Sequence, residues 1–252
     1  MTSNDILNGT ALNELVAESK KFWSSCYTKS NLFWQVNEAN PVLVKNLHHL
    51  TGNESVGENF FVPLSGKSVD PLFLVQKGHS VFAVEFEQQA IEAFAKDNHV
   101  TLHFDPEESL YYTADRQLKI YCGDLFECPI EKYGPFDCVW DRGAFIAIEY
   151  ESRKAYIEVM QRSLLKKETD ENGPRKYNKF CYLLEGINFN RSLFAGPPRA
   201  VSEEDMASLF GDWAEYVLLK ESSPDCELLA TKELAKHGEK AEQTLYLITP
   251  RV

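Results

Sequence analysis

The chain has 252 residues, a length that suits one α/β domain with room for a sizeable core. Hydrophobic residues make up 44% and charged residues 25%, as in an ordinary globular protein. The formal net charge is -12, and no run of basic residues is present. Since neutralisation of phosphates supplies most of the affinity for nucleic acids, this charge argues against a DNA or RNA partner.

The sequence contains no recognisable targeting peptide or membrane-spanning segment. Residues 1–11 lack the pattern of a signal or transit peptide, and no apolar run approaches the ~18 residues that a membrane span needs. The six cysteines are scattered without a C-x-x-C pair, and the adjacent His48 and His49 would point in different directions on a helix. We therefore expect a cytoplasmic protein with reduced thiols, without a metal site and without a membrane partner.

The first part of the chain is predicted to form a helical cover over residues 11–50, after a disordered start at residues 1–10. Apolar residues recur at helical spacing from Leu12 and predict a helix that ends at about Lys21. A second helix is predicted over residues 41–50, with a proline in its first turn. The segment between the two helices is dense in aromatic residues, which would pack the cover onto the core.

A strand–turn–helix–strand unit follows, and it is the most informative part of the sequence. The short apolar run 60–62 predicts a buried strand, and Gly66 allows the sharp turn after it. Apolar residues over 69–75 have helical spacing, and the next apolar run, 80–84, ends in Glu85. In doubly wound folds, an acidic residue about 20 residues past the turn binds the ribose hydroxyls of a nucleoside.

The turn at Gly66 matches neither of the two common phosphate-binding loops. A P-loop needs a glycine where Phe61 stands, and the turn lacks the further glycines of a pyrophosphate-binding fingerprint. A ligand that has a ribose but no phosphates fits better, and S-adenosylmethionine is such a ligand. The alternative at this point is that Glu85 is a solvated residue at the end of a strand.

The second half of the chain predicts five more strands and completes a Rossmann-like α/β fold. Helices are predicted over 87–98 and 152–165, and a third is capped by Ser202. An insertion over 99–118 is predicted to contain a hairpin near Tyr111. The predicted strands are 119–122, 136–140, 179–185, 216–220 and 244–248. We expect a mostly parallel seven-stranded sheet with helices on both faces, in a core over residues 59–249 of a single domain, 1–252.

Polar residues follow two of these strands at the expected ligand-binding edge. Asp124 comes after the third strand and Arg142 after the fourth. Open α/β sheets bind their ligands at the carboxyl ends of the strands. We therefore favour a functional role for Arg142, and the alternative is a structural ion pair with a neighbouring carboxylate.

Four motifs give the chain a family resemblance. They are Phe-Phe-Val-Pro-Leu-Ser-Gly-Lys-Ser-Val-Asp at 60–70, Gly-His-Ser-Val-Phe-Ala-Val-Glu at 78–85, Trp-Asp-Arg-Gly-Ala at 140–144 and Gly-Pro-Pro at 196–198. In this order and spacing they resemble the thiopurine S-methyltransferase family, over about residues 20–250. The resemblance implies a class I methyltransferase fold and transfer of a methyl group from S-adenosylmethionine to the sulfur of a small aromatic or heterocyclic thiol, with S-adenosylhomocysteine as product.

The resemblance also implies which residues form the site. An aromatic cover lies over the cofactor, Asp124 contacts the adenine, and the Gly-Pro-Pro turn walls the acceptor pocket. The predicted cofactor-binding residues are Phe22, Trp23, Cys26, Leu64, Gly66, Glu85, Phe86, Asp124, Leu125 and Arg142. The predicted substrate-binding residues are Phe33, Arg142 and Pro197. Cys26 stands where the family has a tryptophan, and Trp23 is close enough to fill that space.

Methyl transfer to a thiolate needs little help from a general base, since a thiolate is already a strong nucleophile. Arg142 is the predicted catalytic residue, which would hold an anionic acceptor. Three alternatives stay open: an acceptor such as hydrosulfide, a selenium compound or a halide; a non-catalytic protein that binds S-adenosylmethionine and regulates; and a nicotinamide dehydrogenase, which the missing glycines disfavour. We expect a monomer whose partner is a small-molecule thiol.

Overall fold

A computed structural model of the chain describes residues 9–29, 32, 34–52, 56–165, 177, 179–219 and 229–251. The disorder predicted for residues 1–10 falls mostly outside this range, and residues 9 and 10 already belong to the first helix, α1 (Gly9–Thr28). The helix was predicted to end near Lys21, but it continues for two further turns and includes the first part of the aromatic segment, as far as Tyr27. None of the described helices is long and apolar enough to cross a membrane.

The second helix, α2 (Pro41–Thr51), begins and ends close to its predicted bounds. The side chain of Asn40 caps it, since its Oδ1 accepts a hydrogen bond from the backbone N–H of Val42 at 2.8 Å. Pro41 occupies the first turn, where its missing N–H has no intrahelical partner to lose.

The predicted strand–turn–helix–strand unit is confirmed. It consists of β1 (Asn59–Val62), α3 (Asp70–Gln76), β2 (Ser80–Glu85) and a following helix, α4 (Gln88–Asp97). The two strands pair in parallel, as a crossover through α3 requires. Gly78, with a φ of 90°, follows the end of α3 in the left-handed conformation that glycine adopts without strain.

The predicted insertion forms a hairpin that extends the sheet. Its strands are β3 (His103–Asp105) and β4 (Leu110–Tyr112), and β4 pairs antiparallel with β5 (Leu118–Cys122). These two short strands are the reason that the sheet has nine strands and not the seven predicted. Three-residue strands carry too little periodicity to be counted from sequence alone.

The middle of the chain contains a short helix, α5 (Ile130–Tyr133), and a strand, β6 (Cys138–Arg142). The prediction of 136–140 for this strand was two residues early. Parallel pairing with the next strand extends as far as Arg142, so that Asp141 and Arg142 belong to the strand and not to the loop after it.

The last part of the chain closes one side of the sheet. Its elements are α6 (Arg153–Leu164), β7 (Cys181–Asn188), α7 (Glu203–Phe210), β8 (Ala214–Leu219), α8 (Leu229–Ala235) and β9 (Glu242–Pro250). Ser202 and Asp205 form a reciprocal capping box at the start of α7, which confirms the predicted cap. Helix α8 was not predicted. Strands β8 and β9 form the antiparallel pair that their alternation indicated.

The nine strands among the described residues lie in one sheet, in the order β3-β4-β5-β2-β1-β6-β7-β9-β8. The five central strands are parallel, and both faces of the sheet are covered by buried apolar residues. Phe61 and Tyr182 lie in the core of one face, and Phe60 and Trp140 in the core of the other. The carboxyl ends of β1, β2, β5, β6 and β7 therefore meet at one edge, where this class of sheet binds ligands.

Candidate cofactor and acceptor site

Two adjoining clefts lie at this edge of the sheet, beneath α1. The larger encloses about 1150 Å³ and the smaller about 530 Å³, both including solvent at their mouths. Trp23, Leu64, Phe86 and Ala147 line both clefts, so the two form one continuous site. The larger contains Glu85, Arg142 and Pro197, and the smaller contains Asp124 and Leu125.

Glu85 lies at the floor of the larger cleft and is not solvated. It ends β2 and is 4% exposed, and its carboxylate accepts hydrogen bonds from the backbone N–H of Gly66 at 2.7 Å and of Glu87 at 2.8 Å. Burial raises the pKa of this carboxyl to about 7, and the two backbone donors oppose the rise. A buried carboxylate held in this way is oriented to accept further hydrogen bonds from a ligand.

The turn after β1 requires glycine at position 66. Its φ of 55° lies in the left-handed region, and a Cβ there would come within 2.7 Å of the Tyr27 hydroxyl oxygen. Tyr27, from α1, thus packs directly over the turn and lines the cleft. The close approach of the cover to the turn depends on a residue without a side chain.

The cover consists of aromatic rings that meet edge to face. The rings of Trp23 and Trp34 have centroids 5.0 Å apart, and those of Tyr27 and Trp34 are 6.1 Å apart. Phe22 packs against Trp23 with its centroid at 5.0 Å, but its side chain is 41% exposed and it lines neither cleft. Cys26 is buried and also lies outside both clefts, so Trp23 provides the aromatic wall.

The smaller cleft presents a carboxylate that pairs with the cover. Asp124 follows β5, and its Oδ1 accepts the backbone N–H of Phe126 at 2.9 Å. Its Oδ2 lies 2.5 Å from the Nζ atom of Lys20 on α1. Leu125 and Phe86 supply apolar walls. This combination of one hydrogen-bond acceptor and apolar surfaces suits a flat, amine-bearing ring.

Arg142 connects the sheet edge to the loop after α1. Its Nη2 donates a hydrogen bond to the carbonyl oxygen of Trp34 at 2.8 Å. Its Nε lies 3.9 Å from Oε2 of Glu185, at the edge of ion-pair distance. Both residues line the larger cleft. A guanidinium has five N–H donors, so these two contacts leave it with capacity to bind an acceptor.

Asp141, next to Arg142, has a structural role. It is fully buried and accepts hydrogen bonds from the hydroxyls of Tyr156 at 2.7 Å and Tyr182 at 2.6 Å, and from the backbone N–H of Phe145 at 3.0 Å. These contacts tie β6 to β7 and α6. They hold the strand end from which Arg142 reaches the cleft.

We expect Tyr182→Phe to lower the free energy of unfolding by roughly 1.5–3 kcal/mol, because it removes one donor from a buried carboxylate. Denaturant unfolding measured by circular dichroism tests this expectation. Tyr216→Phe is the matched control, since Tyr216 lies on the outer strand β8 and is partly exposed. Equal, small changes in both variants would show that the Asp141 network does not support the fold.

Most of the predicted site residues come together at the two clefts. The predicted residues that line them are Trp23, Leu64, Gly66, Glu85, Phe86, Asp124, Leu125, Arg142 and Pro197. Phe22 and Cys26 are part of the cover but lie outside the clefts. Phe33 lies outside the described residues.

Sequence analysis missed several residues that line the larger cleft. Tyr27, Trp34 and Gln243 come from α1, from the loop after it and from β9. Glu185 also carried a signal, since it ends the predicted strand 179–185 at the ligand-binding edge just as Glu85 ends its own strand. Gln243 had no such signal, because an antiparallel edge strand gives no motif at the site.

No cluster of three or more metal-ligating side chains occurs among the residues that the structure describes. The five cysteines within that part of the chain are free thiols.

The comparison of sequences connects this site to a family of enzymes. The family model described as thiopurine S-methyltransferase (TPMT) matches residues 18–249. A thiopurine S-methyltransferase from Equus caballus is 28% identical over 193 residues, which are 75% of this chain and 74% of that protein. The one from Pseudomonas fluorescens is 30% identical over 201 residues, 79% of this chain and 85% of that protein.

The comparison of structures supports the fold. A 1,6-didemethyltoxoflavin-N1-methyltransferase from Burkholderia thailandensis, solved with S-adenosylhomocysteine, has a TM-score of 0.58 at 13% identity, over 95% of this chain and 90% of that one. A TehB-like SAM-dependent methyltransferase from Corynebacterium glutamicum has a TM-score of 0.52 at 12% identity, over 93% and 99% of the two chains. The likeness at these identities concerns the arrangement of strands and helices.

Proposed function

We propose, since the chain belongs to the thiopurine S-methyltransferase family, that it transfers a methyl group from S-adenosylmethionine to the sulfur of a small aromatic or heterocyclic thiol. The observation that carries this proposal is the continuous site formed by the two clefts. In this site the buried carboxylate of Glu85 shares the larger cleft with Arg142, and the smaller cleft that contains Asp124 adjoins it.

The residues of the two clefts fit S-adenosylmethionine. Glu85 would accept hydrogen bonds from the ribose hydroxyls, with Leu64 and Gly66 shaping the turn beside it. Asp124 would accept the exocyclic amine of the adenine, and Phe86 and Leu125 would pack against the ring. Trp23, which lines both clefts, would close over the cofactor. The single glycine of the turn suits a ligand without phosphates.

S-adenosylmethionine supplies a methyl group on a positively charged sulfur, which makes the methyl carbon open to in-line displacement. The chain's residues have to bring the acceptor sulfur to about 3–3.5 Å from that carbon and exclude water. Arg142 would hold the thiolate. The faces of Trp23, Tyr27 and Trp34 would favour the sulfonium, each by about 0.5–2 kcal/mol. A new carbon–sulfur bond forms at the acceptor as the old one breaks, and no proton has to move once the thiol is ionised.

The acceptor end of the larger cleft favours an organic thiol over a small inorganic species. Its walls include Trp34, Ile146, Ile187 and Pro197. An apolar surface of this extent gains affinity by covering a ring or a chain, whereas hydrosulfide or a halide would leave it bare. The family relationship likewise does not favour the alternatives of a regulatory protein or a nicotinamide enzyme.

We propose further that the chain acts in the cytoplasm, as a monomer and as a single domain. The scattered cysteines, which are typical of reduced thiols, support the proposal of the cytoplasm. The single nine-stranded sheet supports the proposal of one domain.

Binding of the cofactor should raise the thermal stability of the purified protein. By linkage, S-adenosylmethionine or S-adenosylhomocysteine at a hundredfold excess over its Kd should add about 2.7 kcal/mol to the free energy of unfolding. Differential scanning fluorimetry measures the shift. NADH and ATP at the same concentrations are the controls, since the clefts lack the glycine pattern that would bind their phosphates.

Activity is tested with methyl-labelled S-adenosylmethionine and a panel of aromatic, alkyl and inorganic thiols. We expect label in the organic phase with aromatic and heterocyclic thiols. A shift of the melting temperature with ATP alone, or labelled product only from hydrosulfide or a halide, would contradict the proposed function.

A further inference from the structure

We propose that Glu185 is a specificity-determining residue of the acceptor pocket, which compensates the charge of Arg142 and disfavours thiols that also carry a carboxylate. This inference rests on the proposed function and deepens it, because it limits the class of acceptor. Its basis is the position of Glu185, the contacts that fix its carboxylate and the apolar walls around it.

The sheet places Glu185 beside Arg142. The two residues are register partners at the carboxyl ends of the parallel strands β6 and β7, so their side chains leave the same face of the sheet. Both line the larger cleft, and the distance from Nε of Arg142 to Oε2 of Glu185 is 3.9 Å. An acceptor that reaches the guanidinium therefore also meets this carboxylate.

Two amide side chains hold the carboxylate of Glu185 in place. Its Oε2 accepts a hydrogen bond from Nδ2 of Asn40 at 3.1 Å, and its Oε1 accepts one from Nε2 of Gln243. Burial, and to a smaller extent the nearby Asp70, raises the pKa of this carboxyl, while Arg142 and the two amides favour its charged form. Each oxygen of Glu185 accepts a hydrogen bond from an amide N–H group. Acceptance by both oxygens is the hydrogen-bonding pattern of an ionised carboxylate.

The pocket offers little water to screen a second negative charge. Glu185 is 8% exposed, and the neighbouring walls include Ile187, Pro197 and Pro198. With Arg142 already compensated, a carboxylate on the acceptor would be repelled by Glu185 and would lose its own hydration. A charge that opposes the wrong ligand is a common source of specificity. The pocket should therefore prefer acceptors with no negative charge beyond the sulfur.

The experiment compares three thiols of similar size: 4-methylbenzenethiol, 4-sulfanylbenzoate and 4-(aminomethyl)benzenethiol. For the wild-type protein we expect kcat/KM for the carboxylate probe to be at least about tenfold below that for the methyl probe. In Glu185→Gln the ratio of these two constants should rise at least about tenfold, whatever the absolute rates, because glutamine keeps the shape and removes the charge.

Asp70→Asn is the matched control. Asp70 is 2% exposed and belongs to the same buried network, since its oxygens accept from the backbone N–H of Asn40 at 2.7 Å and from Nε1 of Trp140 at 2.8 Å. It is not among the described residues that line either cleft. If Glu185 only supports the fold, both variants should lower the melting temperature and leave the ratio of the two constants unchanged.

The outcomes separate the inference from the function on which it rests. Failure of the wild-type protein to methylate any of the three thiols, with S-adenosylmethionine bound, would overturn the proposed function and the inference with it. Methylation with an unchanged ratio in Glu185→Gln would overturn the inference alone. Should that variant not fold, the wild-type protein decides: a preference for the carboxylate probe over the ammonium probe contradicts a pocket that opposes negative charge.

Discussion

Glu85→Gln is expected to weaken the binding of S-adenosylmethionine by at least about tenfold, and Glu85→Ala by more, because hydrogen bonds to a charged acceptor contribute roughly 1.5–3 kcal/mol each. The carboxylate lies in the cleft at 4% exposure and already faces the donors of Gly66 and Glu87. Isothermal titration calorimetry measures the change in Kd. The glutamine variant is the more informative, because it keeps a hydrogen-bond acceptor for the turn at Gly66.

The pH dependence of binding gives an independent test of the same residue. The pKa of Glu85 in the free protein is about 7, and ribose hydroxyls donate best to the ionised form. Affinity for the cofactor should therefore increase about tenfold between pH 6 and pH 8, and Glu85→Gln should lose this dependence. Equal slopes in the wild-type protein and the variant would show that another group controls binding.

The free protein should respond to pH in the opposite direction. A raised pKa in the folded state gives stability that is fully present below the unfolded value of 4.5 and is lost as pH rises through about 7. The contribution of Glu85 to the free energy of unfolding thus falls over the range in which cofactor affinity rises. A comparison of melting curves for the wild-type protein and Glu85→Gln, without ligand, isolates this contribution.

The elements between 59 and 85 that contribute to the candidate site were predicted from the sequence because they are local. The strand, turn, helix and acid between 59 and 85 are close in sequence, and each has a pattern of its own: an apolar run, a glycine, a helical period and a strand end. The backbone does the rest, since parallel strands bring their carboxyl ends to one edge.

The part of the larger cleft around Arg142 was predicted less completely because it is assembled from distant segments. Glu185 and Gln243 are 58 residues apart, and the hydrogen bond from Asn40 to Glu185 spans 145 residues. Pairing of this kind depends on the register of β7 with β6 and β9, which periodicity does not specify. Helix α1 continues beyond its predicted end for a similar reason. Trp23 and Tyr27 pack at the edge of the sheet, and such tertiary packing contributes more to helix stability than the local sequence pattern from which the end was predicted.

Arg142 was left with two alternatives by the sequence, and the structure shows why they are hard to separate. The hydrogen bond to the carbonyl of Trp34 and the ion pair with Glu185 are structural contacts. The position in the larger cleft is what an acceptor-binding residue needs. A single substitution would disturb both, so the test requires a second change that removes the structural effect.

We expect Arg142→Ala to lower kcat/KM for 4-methylbenzenethiol by about a hundredfold. In other enzymes, the loss of one hydrogen-bond donor that stabilises charge in the transition state has an effect of this size. The kcat/KM of Arg142→Lys should lie between the values for the wild-type protein and Arg142→Ala, because lysine keeps the charge but lacks the planar guanidinium group. The Kd for S-adenosylmethionine should change much less than kcat/KM in both variants. Stopped assays with labelled cofactor and calorimetry give the two constants.

The double variant Arg142→Ala/Glu185→Gln separates the two roles of Arg142. Arg142→Ala alone leaves the carboxylate of Glu185 buried and uncompensated, which should lower the melting temperature. Removing the charge of Glu185 as well should restore much of that stability, since no unpaired charge then remains. If Arg142 holds the acceptor, kcat/KM stays low in the double variant although the fold is restored. Recovery of kcat/KM together with the melting temperature would instead assign Arg142 to the structural ion pair alone.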